Sequence, residues 1–509
     1  METKTAAIEM RNITKRFGPV LANDKVWLNI YRGEILALLG ENGSGKTTLM
    51  NMLSGIYFPD EGEIKIDGKE VVIRSPKDAF DNGIGMIHQH FKLVDVLTAA
   101  ENIVLGLPGK LDLKAASAKI REICDKYGFS VDPAQKIYDM SVSQKQTVEI
   151  VKVLYRGADI LILDEPTAVL TPQETDKLFA VLRNMRNDGK AIVIITHKMH
   201  EVEALSDRVA ILRHGQFIGD MLTAHTNAQE MTNMMVGHAV SLNIERPDPV
   251  DPKPRIEVKG LTVRSVDGIV KLDDVSFTAN SGEILGIAGI SGCGQKELLE
   301  AIAGLQTVES GGISYIEDDG SREELIGKDP LSIAELGVSL SFVPEDRLGM
   351  GLVGNMNLAD NMMLRSFRRG KSIFTDRRSP RALAESVVQE LSVSTPSVDT
   401  PVRRLSGGNV QKVLVGREIA SAPTVLLTAY AVRGLDIHSS YTIYDLINRQ
   451  KKAGVAVIFV GEDLDVLLEL CDRILVLCGG KVSGIVSGRG AEKREVGMMM
   501  TKLGGQSHE

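Results

Sequence analysis

The fold of this chain is decided by the stretch GENGSGKT, residues 40–47. An apolar run, ILALL at residues 35–39, precedes it and has the composition of a buried strand. After it, residues 48–53 place apolar side chains at helical spacing. A strand, a glycine-rich loop ending in Lys-Thr and a helix form the pattern of a phosphate-binding loop. The glycines let backbone N–H groups surround phosphate oxygens at the positive end of the helix.

The last two residues of this loop carry a definite chemistry. Lys46 is predicted to reach the β- and γ-phosphates of a nucleotide, and the Thr47 hydroxyl to hold Mg²⁺. The alternative is a glycine-rich turn that binds nothing. A lysine and a threonine in register after a strand disfavour that alternative.

Charged side chains follow two further predicted strands. The strand at residues 160–163 ends in Asp164 and Glu165, and ligands bind at the carboxyl ends of strands in open α/β sheets. Asp164 is predicted to order the Mg²⁺ shell, and Glu165 to polarise the water that attacks the γ-phosphate. The strand at residues 191–195 leads into His197. A lone histidine at a strand end is more often structural, but the loop and the carboxylates favour a γ-phosphate contact.

Composition limits the class of protein. At 509 residues the chain is too long for one ordinary core, so two or more domains are expected. Its net charge of −8, without a basic cluster, argues against nucleic acid as a partner. No apolar window is long enough to span a bilayer, and the N-terminus lacks the apolar region of a signal peptide. The 4 cysteines show no metal-ligand spacing and suggest a reducing cytosol.

The chain contains an internal repeat whose period is a whole domain. The sequence IEMRNIT at residues 8–14 returns as IEVKGLT at residues 256–262, and GEIL at 33–36 returns at 282–285. Within the first copy, strand-like and helical patterns alternate, which is typical of an α/β fold.

A proline-rich segment separates the two copies. Residues 246–254 read RPDPVDPKP, which predicts a stiff, extended linker. We therefore expect one domain at residues 1–245 and a second at residues 255–509. Residues from about 91 to 141 are polar and helical in pattern, and they predict an inserted subdomain.

These motifs resemble those of ATP-binding-cassette (ABC) ATPases, and the resemblance covers nearly the whole chain, twice. The phosphate loop, Gln89, the DEPT run at residues 164–167 and His197 follow the family's order. Phe17 matches the aromatic residue on which such enzymes stack adenine. In the second copy, LSGGNVQK at residues 405–412 resembles the family signature, in the variant typical of bacterial sugar and nucleoside importers.

The resemblance implies a fold and a set of site residues. The fold is α/β, with two tandem P-loop domains, each a RecA-like core with an antiparallel β subdomain and an inserted α-helical subdomain. The expected cofactors are ATP and Mg²⁺. The catalytic residues are Lys46, Glu165 and His197, and the metal ligands are Thr47, Gln89 and Asp164. The nucleotide-binding residues are Phe17, Gly40, Glu41, Asn42, Gly43, Ser44, Gly45, Lys46, Thr47, Thr48, Gln89, Asp164, Ser406, Gly407 and Gly408.

The second copy departs from the family at its catalytic positions. Gln295 stands where Lys46 stands, and Lys296 stands where Thr47 stands. Ala429 and Tyr430 replace the two carboxylates. Three further replacements are Glu345 for Gln89, Glu462 for His197 and Ser265 for Phe17. We therefore expect no ATP hydrolysis by the second domain. The catalytic groups are replaced, and the negative side chain of Glu462 would repel the γ-phosphate.

The family signature is intact in the second copy and altered in the first, the reverse of the catalytic residues. The second copy keeps Ser406, Gly407 and Gly408, whereas the first has MSVSQ at residues 140–144, with Ser143 at a glycine position. That position suits glycine because the backbone must approach phosphate closely. In the family, two such domains pair head to tail, so the resemblance implies that the intact loop of the first copy meets the intact signature of the second.

The leading hypothesis is the energy-coupling ATPase subunit of a bacterial importer of nucleosides or simple sugars. The runs GMIHQHF at 85–91 and ENIVLG at 101–106 resemble the nucleoside branch. This function implies integral-membrane permease subunits, an extracytoplasmic substrate-binding (lipo)protein and a peripheral place at the cytoplasmic face of the plasma membrane. One alternative is a soluble tandem ABC ATPase that acts on ribosomes, which the short linker, the absence of a basic arm and the degenerate second copy disfavour. A non-catalytic scaffold is disfavoured by the complete catalytic set of the first copy.

Overall fold

The computed structural model describes residues 6–88, 91–108, 112–168, 170–196, 198–237, 244–265, 267–290, 292–335, 340–344, 346–367, 375–433, 435–461 and 463–502. The chain divides into two compact units, unit 1 (Met1–Ser241) and unit 2 (Leu242–Glu509). Among the described residues, no helix combines the length and the apolar character that a bilayer span requires.

Unit 1 alternates strands and helices as the sequence pattern predicts. Its strands are β1 (Ala6–Phe17), β2 (Val20–Tyr31), β3 (Glu34–Leu39), β4 (Glu61–Ile66), β5 (Lys69–Val71), β6 (Ile84–Ile87), β7 (Ile160–Asp164), β8 (Ala191–Ile195), β9 (Arg208–Arg213) and β10 (Gln216–Leu222). Its helices are α1 (Lys46–Leu53), α2 (Pro76–Asp81), α3 (Ala99–Val104), α4 (Leu113–Tyr127), α5 (Val142–Tyr155), α6 (Pro172–Asn187), α7 (Met199–Leu205) and α8 (Ala228–Val236).

The described strands of unit 1 form two sheets. One is antiparallel, in the order β2-β1-β4-β5. The other has the order β10-β9-β3-β8-β7-β6 and is parallel except for β10. Strands β3, β7 and β8 are buried along their whole length, and their apolar runs ILALL, ILIL and AIVII are those of a parallel sheet covered on both faces. Because β3 and β7 both neighbour β8, the loops that follow all three emerge at one edge of the sheet.

A separate helical region lies between β6 and β7. Helices α3, α4 and α5 surround their own core, whose buried members are Ala99, Ala100, Ile103, Ile120, Cys124, Ile137, Met140, Val148 and Val151. Thr98 begins α3 in a capping box with Glu101, which satisfies two backbone donors at the helix start. This region confirms the predicted insertion of a helical subdomain.

Unit 2 repeats this architecture. Its strands are β11 (Pro254–Arg264), β12 (Val270–Asn280), β13 (Ile284–Gly289), β14 (Ser310–Ile316), β15 (Arg322–Glu324), β16 (Leu340–Val343), β17 (Val425–Ala429), β18 (Ala456–Val460), β19 (Arg473–Cys478) and β20 (Lys481–Ser487). Its helices are α9 (Gln295–Ile302), α10 (Pro330–Glu335), α11 (Leu358–Met363), α12 (Arg378–Glu390), α13 (Gly407–Ala420), α14 (Ile437–Lys452), α15 (Leu464–Leu470) and α16 (Lys493–Thr501).

The two units can be compared position by position. The described strands of unit 2 form sheets in the orders β12-β11-β14-β15 and β16-β17-β18-β13-β19-β20. From α5 onward the correspondence has a constant offset, since α5 begins at residue 142 and α13 at 407, and β7 begins at 160 and β17 at 425. Each unit 1 residue in this part therefore has a counterpart 265 positions later. The two-domain α/β prediction is confirmed.

The proline-rich segment lies against unit 2. Arg246 Nη1 donates to the carbonyl oxygens of Leu468 at 2.8 Å and Cys471 at 2.5 Å. Lys451 Nζ donates to the carbonyl oxygen of Pro247. The last residue of the segment, Pro254, already begins β11. The segment is therefore anchored to one domain at both ends, although its composition alone suggests an extended spacer.

Candidate active site

The phosphate loop of unit 1 is the turn between β3 and α1. Gly45, immediately before α1, has φ 96°, in the left-handed region that glycine adopts without strain. A Cβ at Gly45 would lie 2.3 Å from the carbonyl oxygen of Ala22, and a Cβ at Gly40 would lie 2.3 Å from that of Leu212. The close approach of these carbonyls requires glycine at both positions. The loop thus presents backbone N–H groups at the start of a helix, where an anion is stabilised.

One buried polar atom in this loop has no partner. The Ser44 side chain is 4% exposed, and its Oγ makes no hydrogen bond within the described part of the chain. A buried hydroxyl without a partner is costly, on the order of 1–3 kcal/mol. A ligand with phosphate oxygens would supply the missing partner. The remaining predicted residues of the stretch, Glu41, Asn42, Gly43 and Thr48, lie in the loop and the first turn of α1.

Lys46 folds back over the loop. Its side chain is buried, and Nζ donates to the carbonyl oxygens of Gly40 at 2.7 Å and Glu41 at 2.9 Å. Burial lowers the pKa of Lys46, against the opposing effect of the Glu165 and Asp164 carboxylates. The ammonium group therefore lies inside the cradle, with carboxylates close enough to act on it.

Asp164 and Thr47 meet beneath the loop. The Thr47 hydroxyl donates to Asp164 Oδ2 at 3.3 Å. Burial, and then the neighbouring Glu165 carboxylate, raise the pKa of Asp164 from 3.8 to about 6. A hydroxyl and a carboxylate side by side are hard oxygen donors of the kind that bind Mg²⁺. The predicted pair of metal ligands is thus brought together.

Glu165 lies where β7 turns away from the sheet. Its φ of 50° is in the left-handed region, which costs a residue other than glycine on the order of 1–3 kcal/mol. The Glu165 N–H donates to the Ile195 carbonyl oxygen at 2.9 Å, which ties the end of β7 to the end of β8. In unit 2, Tyr430 has φ 53° and its N–H donates to Val460 at 2.9 Å. At the end of this strand the backbone conformation is therefore the same in both units, and the side chain differs.

Phe17 ends β1 with its ring 41% exposed, as an adenine-stacking residue requires. The Tyr57 ring contacts it edge-on at 5.1 Å between centroids, and Lys15 Nζ lies 5.5 Å from its centre. Lys15 is in turn held by Asp60 at 2.8 Å. The sequence motifs did not indicate Tyr57, because its contact with Phe17 arises only from the packing of the fold.

Two predicted residues, Gln89 and His197, lie outside the described residues, and so do Glu345 and Glu462, their predicted replacements in the second copy. Their roles stay predictions. The strand that leads to each of the first two is described, since β6 ends at Ile87 and β8 at Ile195.

The phosphate loop of unit 2 keeps its backbone and loses its chemistry. Gly294 has φ 100° before α9, as Gly45 has before α1. Gln295 is buried and its amide donates to the Ile290 carbonyl oxygen at 3.1 Å, so an uncharged group fills the place of Lys46. Lys296 points to the surface and pairs with Glu300 at 3.7 Å.

The two signature stretches begin equivalent helices. Ser406 is the N-cap of α13, and its Oγ accepts from the Asn409 side chain at 2.9 Å. Gly407 and Gly408 form the first turn of that helix. Ser141 is the N-cap of α5 and makes a reciprocal capping box with Gln144. Each serine therefore stabilises its own helix, which makes the two positions suitable for a matched comparison.

Another contact that the sequence did not reveal holds the carboxylate loop in unit 1. Gln146 of α5 is buried, and its amide donates to the Pro166 carbonyl oxygen at 2.5 Å. Its counterpart in unit 2, Gln411, is buried with neither amide atom hydrogen bonded within the described residues. The same side chain therefore supports the catalytic loop only where carboxylates are present.

Comparison with known proteins identifies the family of the chain. The family model described as "ABC transporter" matches residues 23–168 and 272–428, which include the phosphate loop and the helical region of each unit. The chain belongs to the ABC transporter family and contains two ABC ATPase domains.

Its relatives are similar along their full length. The chain is 42% identical to the nucleoside import ATP-binding protein NupA of Lactococcus lactis subsp. cremoris, covering 99% of both chains. It is 40% identical to the guanosine import ATP-binding protein NupO of Bacillus subtilis, covering 97% of both. It is 38% identical to the ribose import ATP-binding protein RbsA 1 of Rubrobacter xylanophilus, covering 96% of this chain and 97% of the relative.

A solved structure with two such domains is also similar. It is a complex of the archaeal ribosomal stalk protein aP1 with the archaeal ribosome recycling factor aABCE1. The TM-score is 0.60 at 16% identity, over 91% of this chain and 87% of that one. At this identity the similarity concerns the fold alone.

Proposed function

We propose that this chain is the ATP-hydrolysing, energy-coupling subunit of an ABC importer of nucleosides or simple sugars. The observation that carries the proposal is the convergence of Lys46, Thr47 and Asp164 at one phosphate loop, in a chain whose full length matches importer subunits. The nucleoside class is favoured because the nucleoside and guanosine import relatives are 42% and 40% identical, whereas the glucose and ribose import relatives are 35–39% identical.

Hydrolysis is assigned to unit 1. Lys46 would bind the β- and γ-phosphates, and Thr47 and Asp164 would hold Mg²⁺, which would neutralise charge on the phosphate oxygens. The partnerless Ser44 hydroxyl and the glycine-lined cradle fit a phosphate chain. Glu165 orients and polarises the attacking water, which is mainly a positioning task. By resemblance, Gln89 joins the metal shell and His197 contacts the γ-phosphate, while Phe17 stacks on adenine.

Unit 2 has no hydrolytic function in this proposal. Gln295 gives no positive charge to phosphate, and Ala429 and Tyr430 give no carboxylate to metal or water. Lys296 is engaged with Glu300 at the surface and does not restore the lost ammonium. One hydrolytic and one degenerate site are therefore expected.

The signature of unit 2 has a catalytic role toward the intact loop. In the family arrangement, the Ser406 hydroxyl and the Gly408 N–H act as donors to the γ-phosphate held by Lys46, with Gly407 between them. A Cβ at Gly408 would meet Leu435 at 3.6 Å, an ordinary contact. The packing of unit 2 therefore does not require glycine there, and close approach of phosphate is a reason for it.

The permease subunits bind to the helical regions. In unit 1 the apolar side chains that this region exposes include Val94, Val96, Leu105, Leu107 and Tyr138. In unit 2 the corresponding region exposes Leu348, Met350, Val353, Met356 and Phe367. Exposed apolar residues mark protein interaction sites where they form a contiguous patch, and we propose these side chains as such a patch. The chain then lies peripherally on the cytoplasmic face of the plasma membrane, in a system with an extracytoplasmic substrate-binding (lipo)protein.

A ribosome-associated ATPase is the second candidate, because the ribosome recycling factor structure shares the two-domain fold. At 16% identity that similarity does not extend to function, and the full-length relatives near 40% identity are import proteins. The loss of the second hydrolytic site also disfavours this candidate.

Uptake by the source cells tests the proposal. Deleting the gene should abolish uptake of radiolabelled nucleosides or of ribose, and the wild-type gene should restore it. Lys46→Ala should not restore uptake, whereas Lys296→Ala should, because Lys296 lies outside the proposed chemistry. Unchanged uptake of every nucleoside and sugar tested, together with co-sedimentation of the protein with ribosomes, would favour the second candidate.

A further inference from the structure

A buried glutamate links the two loops that carry the catalytic groups of unit 1. Glu201, on α7, is 3% exposed. Its Oε1 accepts from the Thr167 hydroxyl at 2.5 Å, and its Oε2 accepts from the Thr196 hydroxyl at 3.4 Å. Lys198 Nζ lies 3.3 Å from Oε1. A buried carboxyl group is costly unless its hydrogen bonds are made, and here both oxygens have partners.

The two threonines belong to the two catalytic loops. Thr167 follows Glu165 by two residues, in the loop that leaves β7. Thr196 ends the strand β8 and immediately precedes His197. Glu201 therefore holds the loop of the water-polarising carboxylate and the turn of the predicted γ-phosphate contact with one side chain. Its partners are hydroxyl groups of these two loops and the ammonium group of Lys198.

Unit 2 shows what happens to this network when catalysis is lost. The counterparts of Thr167, Thr196 and Glu201, 265 positions later, are Val432, Gly461 and Val466. None of them has a side chain that can form a hydrogen bond. Val432 and Val466 instead pack against the apolar core of their unit.

The loop after β17 in unit 2 indicates that the Glu201 network is not needed for the fold of this loop. The loop after β17 follows the same backbone path without the network, because Tyr430 keeps the left-handed conformation of Glu165 and the same bond to the neighbouring strand. The fold of the loop therefore does not need a buried glutamate. The three hydrogen-bonding side chains occur together where the catalytic groups are present and are lost together where these groups are absent.

We propose that Glu201 is a positioning residue for ATP hydrolysis, acting through Thr167 and Thr196 to fix the loop of Glu165 relative to the end of β8. The inference rests on the proposed hydrolytic function of unit 1. A displacement of about 1 Å from the productive geometry costs on the order of 10²-fold in rate. Removing the link should therefore affect the chemical step and leave nucleotide binding intact.

The test recodes unit 1 with the residues of unit 2 in the full-length chain. Thr167→Val keeps the side-chain volume and removes the hydroxyl, and Glu201→Val removes the acceptor. Each should lower kcat by on the order of 10- to 100-fold, with the affinity for a fluorescent ATP analogue changed less than twofold. The double variant should be little worse than either single one, since residues of one network are not additive. Glu201→Gln keeps one acceptor oxygen and should recover part of the rate.

Val466→Ala, at the matching position of unit 2, is the control for loss of packing and should leave kcat unchanged. A Thr167→Val variant with wild-type kcat would overturn the proposal. So would a fall in kcat that tracks the folded fraction in thermal unfolding, or strictly additive losses in the double variant. If the wild-type chain does not hydrolyse ATP, the proposed function fails. If Glu165→Gln abolishes hydrolysis and the Glu201 and Thr167 variants do not, only this inference fails.

Discussion

Replacing Asp164 with Asn should stabilise the nucleotide-free protein at neutral pH while it abolishes hydrolysis. Burial and the adjacent Glu165 raise the pKa of Asp164 from 3.8 to about 6, so the folded protein disfavours the ionised carboxylate. A carboxyl group with a raised pKa contributes stability below its unfolded pKa, and that contribution is lost as the pH rises through the folded value. Above about pH 6, the ionised group therefore destabilises the folded state.

The size of the effect follows from the displaced pKa. Ionisation of Asp164 lowers the free energy of unfolding by about 3 kcal/mol at pH 7.5 and by about 1 kcal/mol at pH 4.5, where Asp164 is mostly protonated in the folded protein. Asn keeps an oxygen that accepts from Thr47 and carries no charge. For a unit of this size, the melting temperature should rise by roughly 5–10 °C at pH 7.5.

Thermal unfolding in EDTA at pH 7.5 and pH 4.5 measures this effect. The rise in melting temperature caused by Asp164→Asn should be large at pH 7.5 and smaller at pH 4.5. Asp139→Asn, which changes an exposed side chain, should alter the melting temperature little at either pH. Addition of Mg²⁺ and ATP should raise the melting temperature of the wild type more than that of the variant. A lower melting temperature for Asp164→Asn at pH 7.5, or a gain that does not depend on pH, would refute this explanation.

Three further predictions concern the loops and the signatures. Gly45→Ala should weaken ATP binding at least tenfold, because its Cβ would lie 2.3 Å from a carbonyl oxygen. Gly68→Ala, which is also at positive φ but has open space around it, should leave ATP binding unchanged. Equilibrium binding of a fluorescent ATP analogue to both variants measures the difference. Ser406→Ala should lower ATPase activity on the order of 10²–10³-fold. Ser141→Ala removes an equivalent helix cap and should barely alter ATPase activity. Equal losses in the two variants would exclude the proposed pairing of the unit 1 loop with the unit 2 signature. Gln295→Lys alone should not raise turnover, because the carboxylates of that unit are still absent, and a doubling of the rate would show that unit 2 retains more chemistry than proposed.

Local patterns made the centre of the site predictable from sequence. The phosphate loop and the carboxylates each follow a buried strand directly, and parallel topology brings strand ends to one edge. Thr47 and Asp164 are 117 residues apart in sequence and form a hydrogen bond in the structure as a result. The repeat identified the two-domain fold for the same reason, since each copy carries its own strands and turns.

The supporting contacts could not be predicted, because they join elements whose packing the motifs do not specify. Glu201 looks like an ordinary helical acid in sequence, and only the fold places it under two catalytic loops. The contact of Tyr57 with Phe17 and that of Arg246 with the end of α15 likewise depend on long-range packing. For Glu201, the corresponding positions of unit 2 carry no hydrogen-bonding side chain, which supports the proposed positioning role.

Steady-state ATP turnover by the full-length chain tests most directly whether unit 1 alone hydrolyses ATP. Glu165→Gln removes the water-polarising carboxylate and should lower kcat by on the order of 10²–10⁴-fold with ATP still bound. Tyr430→Ala changes the corresponding residue of unit 2 and should leave kcat within about twofold of the wild type, since the proposed chemistry does not involve it. Substantial turnover by Glu165→Gln, or a comparable loss in Tyr430→Ala, would contradict the assignment of hydrolysis to unit 1.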